Sequence, residues 1–151
     1  MRITDSRLTC TAVALSLMLA GCGGQAGSLL ALRASFPGVR TGVNSIATAL
    51  QSVLVTAGSQ PDALVVGGYD ALAGRAERLA ASVEGLDHPP RLNTRLRDLG
   101  SALNAVAVGL GHLSTAAGEH HRTAVRVALA TLRADAQAVR QADAALADAL
   151  R

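Results

Sequence analysis

The chain contains 151 residues, about one domain on the usual prior of roughly 100–200 residues per domain, which excludes a two-domain enzyme. Hydrophobic residues make up 50% of it, yet it has one Phe, one Tyr and no Trp, so its apolar side chains are almost all Ala, Leu and Val. This composition favours helices, because sheets are enriched in aromatic and β-branched residues. The formal net charge of +3 is too small to predict a nucleic-acid partner.

Residues 1–21 have the pattern of a secretion signal. Arg2 and Arg7 supply a positive start, and residues 8–20 form an apolar stretch that is too short to span a bilayer comfortably. At the end of that stretch, Leu19-Ala20-Gly21-Cys22 resembles the lipobox of bacterial lipoproteins. The resemblance implies that the chain is cut before Cys22 and that the Cys22 sulfur is diacylated. The alternative is an ordinary secreted protein that is cut nearby.

The two cysteines agree with this interpretation. Cys10 lies in the segment that is removed and Cys22 accepts the lipid, so the mature chain has no thiol for a disulfide or for catalysis. The protein is then expected to be anchored to a cell membrane on its extracytoplasmic face. Gly23 stands where some lipoproteins of diderm bacteria carry the Asp that retains them at the inner membrane. Because a monoderm host makes that rule irrelevant, the sequence leaves the choice of membrane open.

The rest of the chain predicts a short tether and a helical domain. Residues 22–28 are rich in Gly and are expected to form a flexible tether after the lipidated Cys22. From residue 29 to residue 151, apolar residues recur at alternating steps of three and four, which is the spacing of one helix face. Four such stretches cover residues 29–57, 65–86, 92–117 and 125–150. Pro37 lies inside the first stretch and predicts a helix start or a kink there.

Short breaks rich in Gly and Pro separate the four stretches, at residues 58–61, at residues 87–90 and around Gly118. Short connections between long helices favour antiparallel neighbours. The predicted fold is therefore all-α, an antiparallel up-down-up-down four-helix bundle. A long helical hairpin that pairs with a second chain would show the same pattern.

Glu119-His120-His121 together with His112 is the only cluster in the sequence with metal-ligand chemistry. His112, His120 and His121 all fall at the end of the bundle away from the N-terminus, and imidazole with the carboxylate of Glu119 would suit Zn, Cu or Ni. Adjacent histidines on a helix point about 100° apart, however, and the spacing of four that places two ligands on one face is missing. The alternative is a solvated turn at the start of the last helix.

Asp143 interrupts the apolar pattern of the last stretch at a core position. A buried carboxylate is costly unless it is paired, so we expect an ion pair with an arginine at the same end of the bundle. The available arginines are Arg33, Arg40, Arg91 and Arg95. The alternatives are a catalytic acid or a frayed, solvated helix end.

Arg126, Arg133 and Arg140 recur every seven residues beside the same core stripe. Such positions carry interhelical ion pairs or solvate the surface. Arg91, Arg95 and Arg97 at the near end are candidates for contact with anionic lipid headgroups.

Six glycines fall in the half of the bundle away from the N-terminus: Gly58, Gly67, Gly68, Gly109, Gly111 and Gly118. Gly within a helix costs about 1 kcal/mol relative to Ala, so several of them need a reason. One reason is close approach of two helices, and the other is an open tip near Tyr69 where a ligand or partner docks.

No catalytic motif is present: there is no nucleophile elbow, no Walker loop and no His-Glu-x-x-His. The sequence therefore predicts a lipoprotein that is not an enzyme and needs no cofactor. Its expected partners are membrane lipid through Cys22 and a protein of the cell envelope, which it would bind or scaffold. A solute- or metal-binding lipoprotein that uses His112, His120 and His121 is the alternative.

Overall fold

A computed structural model describes residues 24–57 and 63–151, with the side chains of residues 26–57 and 66–151. These residues form four α-helices and one short 3-10 turn and contain no strand, which confirms the all-α prediction. The helices are α1 (Gly24–Thr56), α2 (Ala63–Glu84), α3 (Asn93–Gly118) and α4 (Arg122–Ala149). Across this described part of the chain, no helix combines the length and the apolar character that a membrane span requires. The predicted signal and Cys22 lie outside the described residues.

Helix α1 begins earlier than the sequence suggests and is not interrupted. Residues 24–28, predicted as part of a flexible tether over residues 22–28, are helical, and residues 22 and 23 lie outside the described residues. Ser28 is buried within this first part of the helix. Pro37 is exposed inside α1, which neither starts nor ends there, because only one backbone hydrogen bond is lost in a helix of 33 residues.

The other helix boundaries follow the predicted breaks. Helix α2 ends at Glu84, and a 3-10 turn over Pro90–Leu92 leads into α3, because Pro fits the first positions of a helix but not its interior. Between α3 and α4 the chain turns at His120, which has a φ of 57°. This left-handed backbone conformation reverses the chain within three residues.

The predicted apolar stripes form one core. The interior positions of all four stretches are buried, and Leu99, Leu103, Leu110 and Leu132 are fully enclosed. At about 25 cal/mol per Å² of buried apolar surface, such a core is the main stabilising term of the helical bundle. The heptad spacing therefore identified the buried faces correctly.

Helix α3 approaches its neighbours most closely. It packs along both α2 and α4, whereas α1 touches α2 and α4 more sparsely. The residues at the close contacts are small: a Cβ added at Gly100 would lie 3.9 Å from the carbonyl oxygen of Ala80, and one at Gly109 would lie 3.2 Å from Leu132. Helix α1 instead contributes larger core side chains such as Phe36 and Ile46, which hold its backbone farther away.

Contacts between α1 and α4 define two ends of the molecule. Arg33 bonds to the carbonyl of Leu150, and Arg40 lies beside Asp143, so these two helices run in opposite directions. Below, the near end is where α1 begins and α4 ends, and the far end is where α1 ends and α4 begins. His88 lies at the near end, and His112 lies toward the far end.

Candidate functional site

A groove at the far end runs between α3 and α4 and has a volume of about 530 Å³. Small and apolar residues form most of it, with His112 on α3 and His121 just before α4 as its ionisable members. Its lining consists of Gly109, His112, Ala116, His121, Thr123, Ala124, Val127, Ala128 and Thr131. Val127 is 61% exposed, so the groove presents apolar surface to solvent.

Two of the three histidines predicted to bind metal meet in this groove. His112 and His121 both line it, whereas His120 occupies the left-handed turn position and is not among the lining residues. Among the described residues, no three His, Cys, Asp or Glu side chains are gathered closely enough to hold one ion. The geometry thus offers a pair of imidazoles, and Glu119 does not join them.

A second groove at the same end lies between α1 and α2. It has a volume of about 340 Å³ and is mostly apolar, with Val53 of α1 on one wall and Gly68, Tyr69 and Leu72 of α2 on the other. Tyr69 is only 3% exposed, and burial raises the pKa of its phenol above the usual value. Its hydroxyl therefore stays protonated in the physiological range.

The far-end glycines are open rather than packed. A Cβ added at Gly67, Gly68, Gly111 or Gly118 would meet nothing within 4 Å. Only Gly109 fits the explanation by close helix approach, since its Cβ would lie 3.2 Å from Leu132 Cδ1 and 3.3 Å from Asp135 Oδ2. Gly58 lies outside the described residues. Close packing therefore accounts for one described glycine of this set, and the others leave gaps in the surface.

The near end holds the ion pair predicted for Asp143. Its Oδ2 lies 3.5 Å from Nε of Arg40, and the residue is 9% exposed. Its other oxygen, Oδ1, is buried and accepts no hydrogen bond in the described structure. Arg40 itself is half-exposed. Asp143 is therefore buried and paired, as expected, but only one of its two oxygens is satisfied.

Two other arginines of the predicted set bind the end of α4 through its backbone. Arg33 donates hydrogen bonds to the carbonyl oxygens of Leu150 at 2.9 Å and of Arg151 at 3.2 Å. Arg95 donates to the carbonyl of Ala145 at 3.0 Å. The carbonyl of Leu150 follows the last residue of α4 and lies where the helix carries partial negative charge, so a guanidinium group is suited to it. The carbonyl of Ala145 lies four residues before the end of α4, so Arg95 adds a charged donor to a carbonyl inside the helix. Sequence reasoning missed this role because backbone acceptors leave no mark in the sequence.

Of the two alternatives for Arg126, Arg133 and Arg140, interhelical ion pairs or solvation of the surface, the described residues agree with the second. All three are exposed, and none lies within ion-pair distance of a residue that the structure describes. Arg91 and Arg97 at the near end are likewise exposed and without an ion pair there.

The far end thus combines two shallow, largely apolar grooves with an open, glycine-bearing surface, and the near end is closed by arginines. Mostly apolar grooves with few polar groups suit the side chains of a protein partner or an apolar ligand. Comparison of the chain with protein-family models, with curated proteins and with solved structures gave no match.

Proposed function

We propose that the chain is a bacterial lipoprotein whose helical domain binds or scaffolds a protein of the cell envelope and has no catalytic activity. Residues 1–21 act as the signal peptide, and Cys22 carries the lipid that holds the domain on the extracytoplasmic face of a membrane. The domain is an antiparallel up-down-up-down four-helix bundle. The contacts of Arg33 with Leu150 and of Arg40 with Asp143 support the antiparallel arrangement of α1 and α4.

The proposal of a lipid anchor rests on the lipobox and on the position of α1. Helix α1 begins at Gly24, two residues after Cys22. A lipid on Cys22 would therefore keep the near end at the bilayer and make the far end the end that lies farthest from the anchor. This orientation leaves the far end free for a partner.

One observation carries the proposed binding role: the far end is open where the near end is closed. Gly67 and Gly68 lie on α2 with no neighbour within 4 Å of an added Cβ, beside the groove that contains Tyr69. Each helical Gly costs about 1 kcal/mol relative to Ala. An open surface that keeps such residues is explained by a partner whose side chains occupy the space.

The test is a crosslinking pull-down from intact cells with partners identified by mass spectrometry. It compares the full-length chain with its Cys22→Ala, Gly68→Gln and Gly38→Gln variants. Gly38→Gln is the matched control, because Gly38 is also an exposed helical glycine without a neighbour, but it lies on α1 toward the near end. The intact mass of the same sample reports whether Cys22 is acylated.

A partner that is retained by Gly38→Gln and reduced about tenfold by Gly68→Gln supports the binding role at the far end; tenfold corresponds to about 1.4 kcal/mol. Equal capture by all variants contradicts that site. An unacylated Cys22 contradicts the lipoprotein assignment whatever the pull-down shows.

The second candidate is a metal- or solute-binding lipoprotein, and it is favoured by the presence of His112 and His121 in one groove. It predicts that Zn, Cu or Ni raises the melting temperature of the protein and that His112→Ala with His121→Ala abolishes the rise. The control is His88→Ala at the near end. No rise at saturating metal removes this candidate.

A further inference from the structure

A row of arginines follows one flank of α4. Arg126, Arg133 and Arg140 are exposed and lie on the side of the buried stripe opposite to Asp135, which faces Gly109 of α3. They therefore lie on the flank of α4 that borders α1. The row is about 21 Å long, because 14 residues of helix rise by 1.5 Å each.

Helix α1 adds two more arginines to the same side of the molecule. Arg33 and Arg40 both reach α4, so they mark the side of α1 that faces it. Helix α1 contains no Asp or Glu. We name the surface formed by Arg33, Arg40, Arg126, Arg133 and Arg140 the arginine face.

Little negative charge offsets the arginine face. Asp143 offsets Arg40, with which it is paired, and the exposed Asp148 at the end of α4 is paired with Arg151. Arg126, Arg133 and Arg140 have no ion pair with a described residue and keep their charge. By contrast, α2 carries two arginines and three acidic residues. The positive charge of the described chain is therefore concentrated on one side of the molecule.

We propose that the arginine face lies on the anionic headgroups of the membrane that carries the protein. The proposal rests on the proposed function, since the lipid on Cys22 brings the bundle to the bilayer. Helix α1 begins two residues after Cys22, so the bundle has little slack and its α1 side lies within reach of the headgroups. Each arginine near an anionic bilayer contributes about 1 kcal/mol.

The arginine face is long and lies outside the grooves, so it suits contact with a flat surface such as a bilayer better than contact with a small ligand. The grooves described above are lined without any of its five arginines, and the row is long and exposed. Leu30 of α1 is 65% exposed and lies about one turn before Arg33, and an apolar side chain next to an arginine suits the headgroup boundary. Phe36 and Tyr69, the aromatic residues of the chain, are both buried and cannot stack on bases, which disfavours a nucleic acid.

The test measures which face of the full-length protein touches lipid. The protein is purified from a bacterial host in detergent, its intact mass reports the state of Cys22, and it is reconstituted into two kinds of vesicle. One kind is phosphatidylcholine alone, and the other also contains phosphatidylglycerol. A fluorophore on Gln137→Cys reports the arginine face, a fluorophore on Ser101→Cys reports the outer side of α3, and nitroxide-labelled lipid quenches whichever lies at the bilayer.

We expect the label on Gln137→Cys to be quenched more than the label on Ser101→Cys in vesicles that contain phosphatidylglycerol. This difference should be absent in phosphatidylcholine alone and should decrease at high salt, because salt screens the attraction. Replacing Arg126, Arg133 and Arg140 by Gln should destabilise the orientation in which the arginine face touches the bilayer by about 1 kcal/mol per arginine. The ratio of this orientation to the one in which only the near end touches the bilayer should therefore fall about 100-fold.

The matched control compares two single replacements of exposed arginines. Arg133→Gln on α4 should weaken the quenching at Gln137→Cys, whereas Arg78→Gln on α2 removes the same charge and leaves the quenching unchanged.

Equal quenching of the two labels in both kinds of vesicle overturns the inference. It is also overturned if, in phosphatidylcholine vesicles, a second copy of the chain covers the label on Gln137→Cys and shields it from quenching. If the mass shows no acylation, the labels are placed in a chain in which Cys10 and Cys22 are replaced by Ser, so that the fluorophore reacts at one thiol, and this protein is mixed with preformed vesicles. Selective quenching at Gln137→Cys then upholds the arginine face while the lipoprotein assignment fails.

Discussion

The two ends of the bundle differ in the contacts that the helix ends make. At the near end, Arg33 binds the carbonyl of Leu150 just after α4, and Arg95 binds that of Ala145 near the end of the helix. Arg40 pairs with Asp143, so this part of α4 is tied to α1 and α3. At the far end, α3 and α4 are joined by a tight turn at His120, and grooves remain on either side of the bundle.

The difference suits the two ends to different roles, one structural and one in binding. Charged hydrogen bonds to helix ends stabilise a fixed geometry, which suits the end beside a membrane anchor. Open glycines and apolar grooves contribute little stability and leave surface for a partner. The near end would thus hold the structure, and the far end would carry the binding surface.

The largest expected effect is the loss of stability when a core residue halfway between the two ends is shortened, and it tests whether both ends belong to one core. Leu103 lies in the middle of α3 and is fully buried. Leu103→Ala should lower the free energy of unfolding by about 2–5 kcal/mol, because it removes apolar contacts and leaves a cavity. Urea denaturation followed by circular dichroism measures it. A loss below about 1 kcal/mol would mean that the ends are separate units and that the α3 stripe is not enclosed.

The near-end ion pair should respond unequally to loss of its two partners. Arg40→Ala leaves the buried carboxylate of Asp143 without its cation and should destabilise the protein by about 1–3 kcal/mol. Asp143→Leu removes the costly buried charge and leaves the half-exposed Arg40 to water, so it should be neutral or stabilising.

Denaturation of both variants and of the double variant closes a thermodynamic cycle for this pair. A larger loss from Asp143→Leu than from Arg40→Ala would show that the carboxylate holds the near end together. It would then be a net stabilising group, against the expectation for a carboxylate with one unsatisfied oxygen.

The far-end glycines should respond in the opposite direction. Gly67→Ala and Gly111→Ala place a Cβ in open space and should each stabilise the protein by about 0.5–1 kcal/mol. Gly109→Ala pushes against Leu132 and Asp135 and should gain less or lose stability. Thermal unfolding of the three variants measures the order, and stabilisation by Gly109→Ala equal to that of Gly67→Ala would remove the distinction between packed and open glycines.

The smallest effect concerns Asp135, which is partly buried beside Gly109. Burial raises the pKa of its carboxyl group, so the folded state holds the proton more tightly than the unfolded state does and ionisation disfavours folding. Asp135→Asn should stabilise the protein at neutral pH by up to about 0.5 kcal/mol. The gain should vanish as the pH falls through the raised pKa, because the wild-type carboxyl is then neutral too. If the stabilisation by Asp135→Asn instead grew toward acid pH, ionisation of Asp135 would favour folding, which would contradict this prediction.

Part of the candidate site could be predicted from the sequence and part could not. The heptad pattern located Asp143 in the core and placed Arg40 among its possible partners, because both follow from helix register and chain direction. It did not reveal that Arg33 and Arg95 bind backbone carbonyls, nor that α1 extends through the residues predicted as a tether. Backbone acceptors are alike at every residue, so only their position in space selects them.

The amino-acid sequence by itself determined the helical class, the buried stripes and the helix breaks, because periodicity, Gly and Pro act locally along the chain. The tertiary structure decided which glycines are packed, which histidines share a groove and which arginines lie unpaired on one face. Those properties depend on the distance between neighbouring helices and on which flanks meet, and the side-chain sizes of four helices set these together.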